Sequence, residues 1–503
     1  MRPLLLLLSL IISCGFNLQA DTIVEKKKRA GDEPEIVHSS IGDVSAGVEG
    51  KLQLRNIGKR QQYDWTDRST LDADILSPKS ANFHPDGSKF YVNSLEGCVT
   101  VVYDARTLRK LKVITHKFPS RSLELWAPAC SHYQFQHYEE GESRAFAGKP
   151  VESAFSHKGR YLWVPYYRRT FDINAQDPSA IAVIDTRCDS IVRMFDTGPL
   201  PKMVAVSPDN HYVAITHWGD NTVGLLDISD SDMRKWHHLA PLAAGKKLTL
   251  DFPLDTLVDR DVHSGLKLRG TVFTPDGRWL LVGAMGGALQ VFDIADMKYV
   301  GQVGYAYNVR HLVIKGGMLF GTQCVGGAVI SIPVDSLIRG VRQAISRSER
   351  NISAEGWRSC KVAPGARTLE TTPDGKYIFV VCNSASEMLV VDAEAMTVAD
   401  RIRVDSYPVG LALSPDGDYA IVTSQGRKGK GGHAVNIFEV LRPDYHAPQP
   451  VILEEKASPA EDASSGEQSS SVFTDIPGML IAGVGSAILL ILTAGILIAR
   501  RHR

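Results

Sequence analysis

The chain carries no excess of either charge: 56 Lys and Arg stand against 56 Asp and Glu, a formal net charge of +0. A free nucleic-acid binder needs surplus cations to displace counterions from phosphates, so the balance argues against DNA or RNA as a partner. Cysteine is scarce, seven in 503 residues, and neither CxxC nor CxxCH occurs. A zinc ribbon, a thioredoxin-like redox pair and covalently attached c-type haem all need those spacings. GxSxG, HExxH and Walker signatures are missing as well, which removes the common hydrolase and nucleotide-binding readings. His132, His137 and the pair His237-His238 lack diagnostic ligand spacing, and no EF-hand loop follows Asp227, Asp230 and Asp232. No metal and no cofactor are expected.

The two ends address the compartment. Residues 1–20 read as a secretory signal: Arg2, an apolar run from Leu4 to Ile12, and the small-residue ending Leu18-Gln19-Ala20. Ile11-Ile12-Ser13-Cys14 also resembles a bacterial lipobox, which would leave Cys14 lipidated. At the other end, residues 476–499 hold no charge. At about 1.5 Å rise per residue that stretch spans a ~30 Å hydrocarbon core, so a transmembrane helix is expected. Arg500, Arg501 and Arg503 follow. The positive-inside rule places this 500–503 tail in the cytoplasm and the rest outside, a single-pass type I topology with a periplasmic or extracellular ectodomain. A removable sorting tail has the same pattern. In an oxidising compartment the six cysteines other than Cys14 predict disulfides.

Between the ends a phrase recurs seven times: NFHPDGSKFYV at 82, AFSHKGRYLWV at 154, AVSPDNHYVAI at 205, VFTPDGRWLLV at 272, LVIKGGMLFGT at 312, ETTPDGKYIFV at 370 and ALSPDGDYAIV at 412. Each is a strand, a turn and a second strand. Pro presets the first central φ, Asp hydrogen-bonds the nearby backbone, and Gly or Asn takes the left-handed position. A third strand ending in an acidic turn, such as VTVVYDART or MLVVDAEA, and often a fourth, follow. Four antiparallel strands in each of seven units predict an all-β fold, a seven-bladed β-propeller, with the transmembrane helix appended.

SPDG followed by YV, a loop, V-x-V-x-D and a closing strand resembles the YVTN-type β-propeller repeat family over about residues 79–440. The resemblance implies the fold and carries little about function. Repeat phrases lie 40 to 72 residues apart, and the fifth has Lys315-Gly316-Gly317 in place of Pro-Asp-Gly, so large insertions separate the strands. The expected organisation is a flexible leader over 21–49, the propeller over 50–441, and a Pro/Ser/Glu-rich stalk over 442–475. The seventh unit lacks a strong fourth strand, so a segment near 50–56 is expected to complete it.

The loops entering the innermost strands and those joining second to third strands share one face, here called the top. Insertions 115–149, 166–179, 230–267 and 426–433 are expected there, and loops on a rigid scaffold are where binding is usually placed. Lys79, Lys202, Arg269, Arg310 and Arg367 stand at or near equivalent places before five innermost strands, with Arg168, Arg169, His217, Trp218, Tyr166, Tyr167, Arg427, Lys428 and Lys430 in neighbouring loops. Converging cations with aromatic faces predict an anionic ligand, a small molecule or polymer. An envelope protein is the other partner the reading allows. The alternative for the same residues is ion pairing between blades, with Glu152 as an acidic partner. Arg310-His311 also resembles the Arg-His of the seven-bladed lactonases, which implies a hydrolytic site with Arg310 as electrophile and His311 as acid or base. The main expectation is a non-catalytic binding or scaffold module.

Overall fold

The computed structural model describes residues 35–47, 52–63, 67–119, 123–138, 144–249 and 258–442. These residues form seven antiparallel sheets built on four strands each. The innermost strands, Pro78–Phe83, Ala154–Ser156, Pro201–Val206, Leu268–Phe273, Val309–Lys315, Ala366–Thr371 and Pro408–Leu413, lie side by side around a central channel. This is the seven-bladed β-propeller.

Each repeat turn folds for a reason visible in its residues. In the fourth blade the Thr274 hydroxyl donates to Asp276 (2.5 Å), Asp276 accepts from the Arg278 amide, and Gly277 turns at φ +71°. The Trp279 amide donates back to the Thr274 hydroxyl at 3.0 Å. Ser207-Asp209, Thr372-Asp374 and Ser414-Asp416 repeat the hydroxyl–carboxylate contact. In the fifth blade Gly316 and Gly317 both have positive φ and make a two-residue hairpin between Lys315 and Met318.

The core lies between blades. Trp163, Val183 and Phe195 of the second pack on Val204, Val213 and Leu226 of the third, and the pattern repeats around the ring. Closure joins Phe83, Phe90 and Val101 of the first blade to Ile421, Val435 and Ile437 of the seventh. The outer strand of the seventh blade is Gln53–Gln61, paired antiparallel with Ala434–Leu441. It begins and ends later than the expected 50–56 segment, because Leu52 and Leu54 only open the buried register that continues to Gln61.

Part of the expected leader is ordered along the seam of the sixth and seventh blades. Ser39 and Lys59 converge on the buried Asp405, with Lys59 Nζ 3.0 Å from its carboxylate, while Ser45 and Gly47 donate to Asp400. An element absent from the repeat reading is the helix Val334–Ser346, inserted between the third and fourth strands of the fifth blade. It packs Leu337 and Val341 against the fourth blade, where the nearby strand Asn351–Ile352 adds a fifth, parallel strand.

The expected disulfides do not form: Cys98, Cys130, Cys188, Cys324, Cys360 and Cys382 are all free. The propeller separates them onto different blades and loops, and its closure rests on a strand rather than a covalent bridge. The expected signal (1–20), the transmembrane helix (476–499) and all of the stalk (442–475) but Arg442 lie outside the described residues. No helix among the described residues is long and apolar enough to cross a membrane.

Candidate functional site

Five cations meet at the top of the channel because five innermost strands share one irregularity. Antiparallel register is kept at Pro78↔Ser94, Pro201↔His217, Leu268↔Ala284, Val309↔Gln323 and Ala366↔Cys382, and shifts immediately afterwards. The residues inside those bulges include Lys79, Lys202, Arg269, Arg310 and Arg367. A bulge interrupts the alternation of a strand and re-aims a side chain. The seventh blade has the same bulge, with Val409 in it.

Neighbouring blades hold the bulged backbone. Thr423 donates to the Lys79 carbonyl (3.1 Å), Thr216 to that of Arg269 (2.8 Å) and Thr322 to that of Arg367 (2.9 Å). Asn93 Nδ2 donates likewise to the Val151 carbonyl, just before Glu152, 2.9 Å away. Gly270 permits the close approach of the fifth blade, since a Cβ there would lie 2.8 Å from both the Arg310 carbonyl and the His311 Cα.

One acid facing this ring is Glu152, 3.3 Å from Lys79 Nζ and 3.6 Å from Arg269. Burial opposes its ionisation, but Lys79 and Arg269 outweigh burial and hold its carboxyl below the usual range. The cations are under-neutralised. Burial, then repulsion from Arg367, pushes Lys79 well below the ordinary ammonium range; burial, then Arg269, does the same to Lys202. Arg269 is lowered by burial and Arg310, and Arg367 falls to about 10 for the same two reasons. Nε of Arg269, Arg310 and Arg367 is buried without a hydrogen-bond partner among the described residues. Lys79 Nζ is within ion-pair range of Glu152 yet outside hydrogen-bond geometry.

Around the ring the top loops supply aromatic and acidic contacts. Lys202 Nζ lies 3.7 Å from the centre of the Tyr167 ring and 4.8 Å from that of Trp218. Asp261, in the loop before the fourth blade, is shared by Lys202 (3.5 Å) and Arg168 (3.2 Å), and its carbonyl accepts from Trp218 Nε1. Tyr407 stands beside both Arg367 and Arg427. Arg427 donates to the carbonyls of Asn383 and Ser384, tying the last blade's top loop to its neighbour. Arg310 donates to the Cys324 sulfur at 3.5 Å.

Other expected residues lie elsewhere. His217 is fully buried, with Thr197 and Thr222 hydroxyls at 2.7 and 2.8 Å from its ring nitrogens, and burial lowers it to about 3. It is a core histidine. Arg169 is buried on Asp196 (2.7 Å), and Tyr166 is buried against His116. Of the 230–267 stretch, residues 237–243 are the outer strand of the third blade, so only the part beyond it reaches the top. His137 pairs with Asp177 at 2.9 Å, His238 packs edge-on against Tyr133, and Asp227, Asp230 and Asp232 accept from nearby turn amides. Among the described residues no group of three or more His, Cys, Asp and Glu is arranged to hold a metal.

His311 is lowered to about 4 by burial, and its Nδ1 has no hydrogen-bond partner among the described residues. Sequence reasoning passed over Glu370, in the innermost strand of the sixth blade, whose carboxyl burial raises to about 8. Asp261 and Tyr407 were passed over too. Nothing in their local sequence marks them, since their role arises from loops of different blades.

No protein-family model matches the chain. Among curated proteins it is similar to Antigen Lp49 of Leptospira interrogans serogroup Icterohaemorrhagiae serovar copenhageni, 22% identical over 177 residues that cover 31% of this chain. The match spans 36% of that protein's own length. Among solved structures the chain is similar to Kuenenia stuttgartiensis hydrazine synthase, at 14% identity and a TM-score of 0.49, covering 76% of this chain and 99% of that one. It is also similar to the β-propeller domain of Myceliophteria thermophila Cps50 (Swd1), at 13% identity and a TM-score of 0.50 over 73% of this chain and 97% of that one. At such identity the second likeness shows the β-propeller fold alone.

Proposed function

We propose that this protein is a non-catalytic binding module that takes an anionic group at the mouth of its channel. The observation that carries this is the ring: five strand bulges aim Lys79, Lys202, Arg269, Arg310 and Arg367 at one place, opposite Glu152. Buried cations without matching counter-charge are costly, and a carboxylate or phosphate would offset that cost. Membership of the YVTN-type repeat proteins, display outside the cytoplasm and anchoring by residues 476–499 belong to the same proposal and rest on the sequence. The β-propeller fold is compatible with such a module, although fold alone assigns no function.

The hydrolytic alternative has less support. Desolvation holds His311 neutral beside Arg310, and its Nδ1 has no hydrogen-bond partner among the described residues.

Titration calorimetry of the purified protein with citrate, at low and at physiological salt, tests the proposal. Citrate should bind, more weakly as salt rises, and Arg269→Ala and Arg367→Ala should each lose about tenfold or more in affinity while remaining folded. If citrate, inorganic phosphate and sulfate all fail to bind, and the two variants are merely less stable, the ring is an inter-blade network and the proposal fails.

A further inference from the structure

The four most exposed large apolar side chains among the described residues are Val325, Ile173, Val262 and Tyr307, at 82, 71, 64 and 54%. A single exposed apolar residue needs no explanation. These four share one face: Ile173 and Val325 lie in loops between second and third strands, and Val262 and Tyr307 stand on the approach to innermost strands. All are therefore on the top, in the sector of the second to fifth blades.

They also sit beside the cationic ring. Val262 follows Asp261, which pairs with Lys202 and Arg168. Val325 follows Cys324, which accepts from Arg310, and its amide donates to the Asn308 side chain at 2.8 Å. Tyr307 precedes Asn308 in the run leading to Arg310, and the Ile173 carbonyl accepts from Arg168. Contacts to the backbone thus hold the tips while their side chains stay in water.

We propose that the top face is a docking surface for a partner polypeptide, which inserts an acidic group into the ring and rests flanking apolar residues on Val325, Ile173, Val262 and Tyr307. This rests on the anion-binding reading above and adds the class of ligand. Charge complementarity chooses the occupant. The cations lie sunk in the channel, with less than a tenth of the Lys79, Lys202 and Arg269 side chains exposed, so the entering group must be slender and stand out from its carrier. A carboxylate on a polypeptide does so, whereas a flat anionic bilayer would meet the apolar tips and leave the ring unserved. A second copy of this chain would bring an identical cationic mouth against the first, which is repulsive.

The test uses the purified protein and three pools of fluorescein-labelled heptapeptides: Asp or Glu at the centre flanked by Leu, Val and Phe; the same centre flanked by Ser and Gln; and Asn or Gln at the centre with the apolar flanks. Fluorescence polarisation should show the acidic–apolar pool binding at least about tenfold more tightly than either other pool, with citrate competing. The triple variant Ile173→Ser, Val262→Ser, Val325→Ser changes only exposed tips. It should lose about tenfold for the acidic–apolar pool and keep wild-type affinity for citrate. Equal binding of the two acidic pools, or an unaffected triple variant, overturns the docking surface even where citrate binds and the anion site stands. Binding to phosphatidylglycerol vesicles without discrimination among peptides, or self-association through this face in sedimentation, overturns it in favour of those occupants. If neither citrate nor any acidic pool binds, the anion-binding reading itself has failed.

Discussion

Glu152 weighs most on Lys79 and Arg269, because among the described residues it is the acid within ion-pair range of both. Glu152→Gln should destabilise the protein by about 3 to 5 kcal/mol, as removal of one partner from a buried pair does, and sulfate should restore part of the loss in thermal unfolding. Because its carboxyl is held below the usual range, its contribution is present at neutral pH and is lost only as pH falls through that lowered value. Lys79 and Lys202 make the opposite statement. Both are lowered and an incoming anion raises them again, so citrate binding followed across the alkaline pH range should take up protons. Calorimetry in Tris and in HEPES, whose ionisation enthalpies differ, measures that uptake; identical heats would show no titrating lysine in the ring. Glu370 titrates between about 4.5 unfolded and about 8 folded, so the native state holds a proton that the unfolded chain has released. Stability should fall as pH rises through this window, and Glu370→Gln should remove the fall, stabilising by about 4 to 5 kcal/mol at pH 8.5 and little at pH 4.

At the scale of elements, the turns were readable because their chemistry is local. Ser or Thr, Asp and Gly within four residues contain every donor, acceptor and positive φ the turn needs, as Thr274 to Gly277 show. The bulges were not readable. Arg269 sits in one because Leu268 pairs with Ala284 of its own blade while Gly270 lies against Arg310 of the next, a relation that spans blades. Gly270→Ala should therefore cost about 1 to 3 kcal/mol in urea unfolding, since the new methyl meets backbone that cannot step aside. A variant as stable as wild type would mean the fifth blade can shift outward. The helix Val334–Ser346 escaped because seven β repeats set the expectation for the whole middle of the chain, although Leu337 and Val341 recur at helical spacing.

At the scale of the molecule, the ring is shut by an N-terminal strand. Removing residues 1–62 exposes the edge of Ala434–Leu441 and strips Leu52 and Leu54 from the core of the seventh blade. The midpoint of thermal unfolding should drop by at least about 5 °C, and the shortened protein should aggregate as its concentration rises. An unchanged midpoint would show that the remaining strands close the ring alone. All six cysteines of the described propeller are free, so a reducing agent should leave the midpoint where it was.

Seven repeats, their turns and the number of blades followed from the sequence by itself, since strand alternation and turn residues act within a dozen positions. Five cations near the starts of five inner strands were legible in the same way. Only the tertiary structure decided what those cations do, because a strand bulge, a neighbour's threonine and a glycine in the adjacent blade together turn them inward. It also decided that His217 belongs to the core, that the cysteines stay apart and that Glu152 meets Lys79 from another blade. Those outcomes depend on how blades pack around a closed ring, and packing across blades joins residues that no local pattern connects.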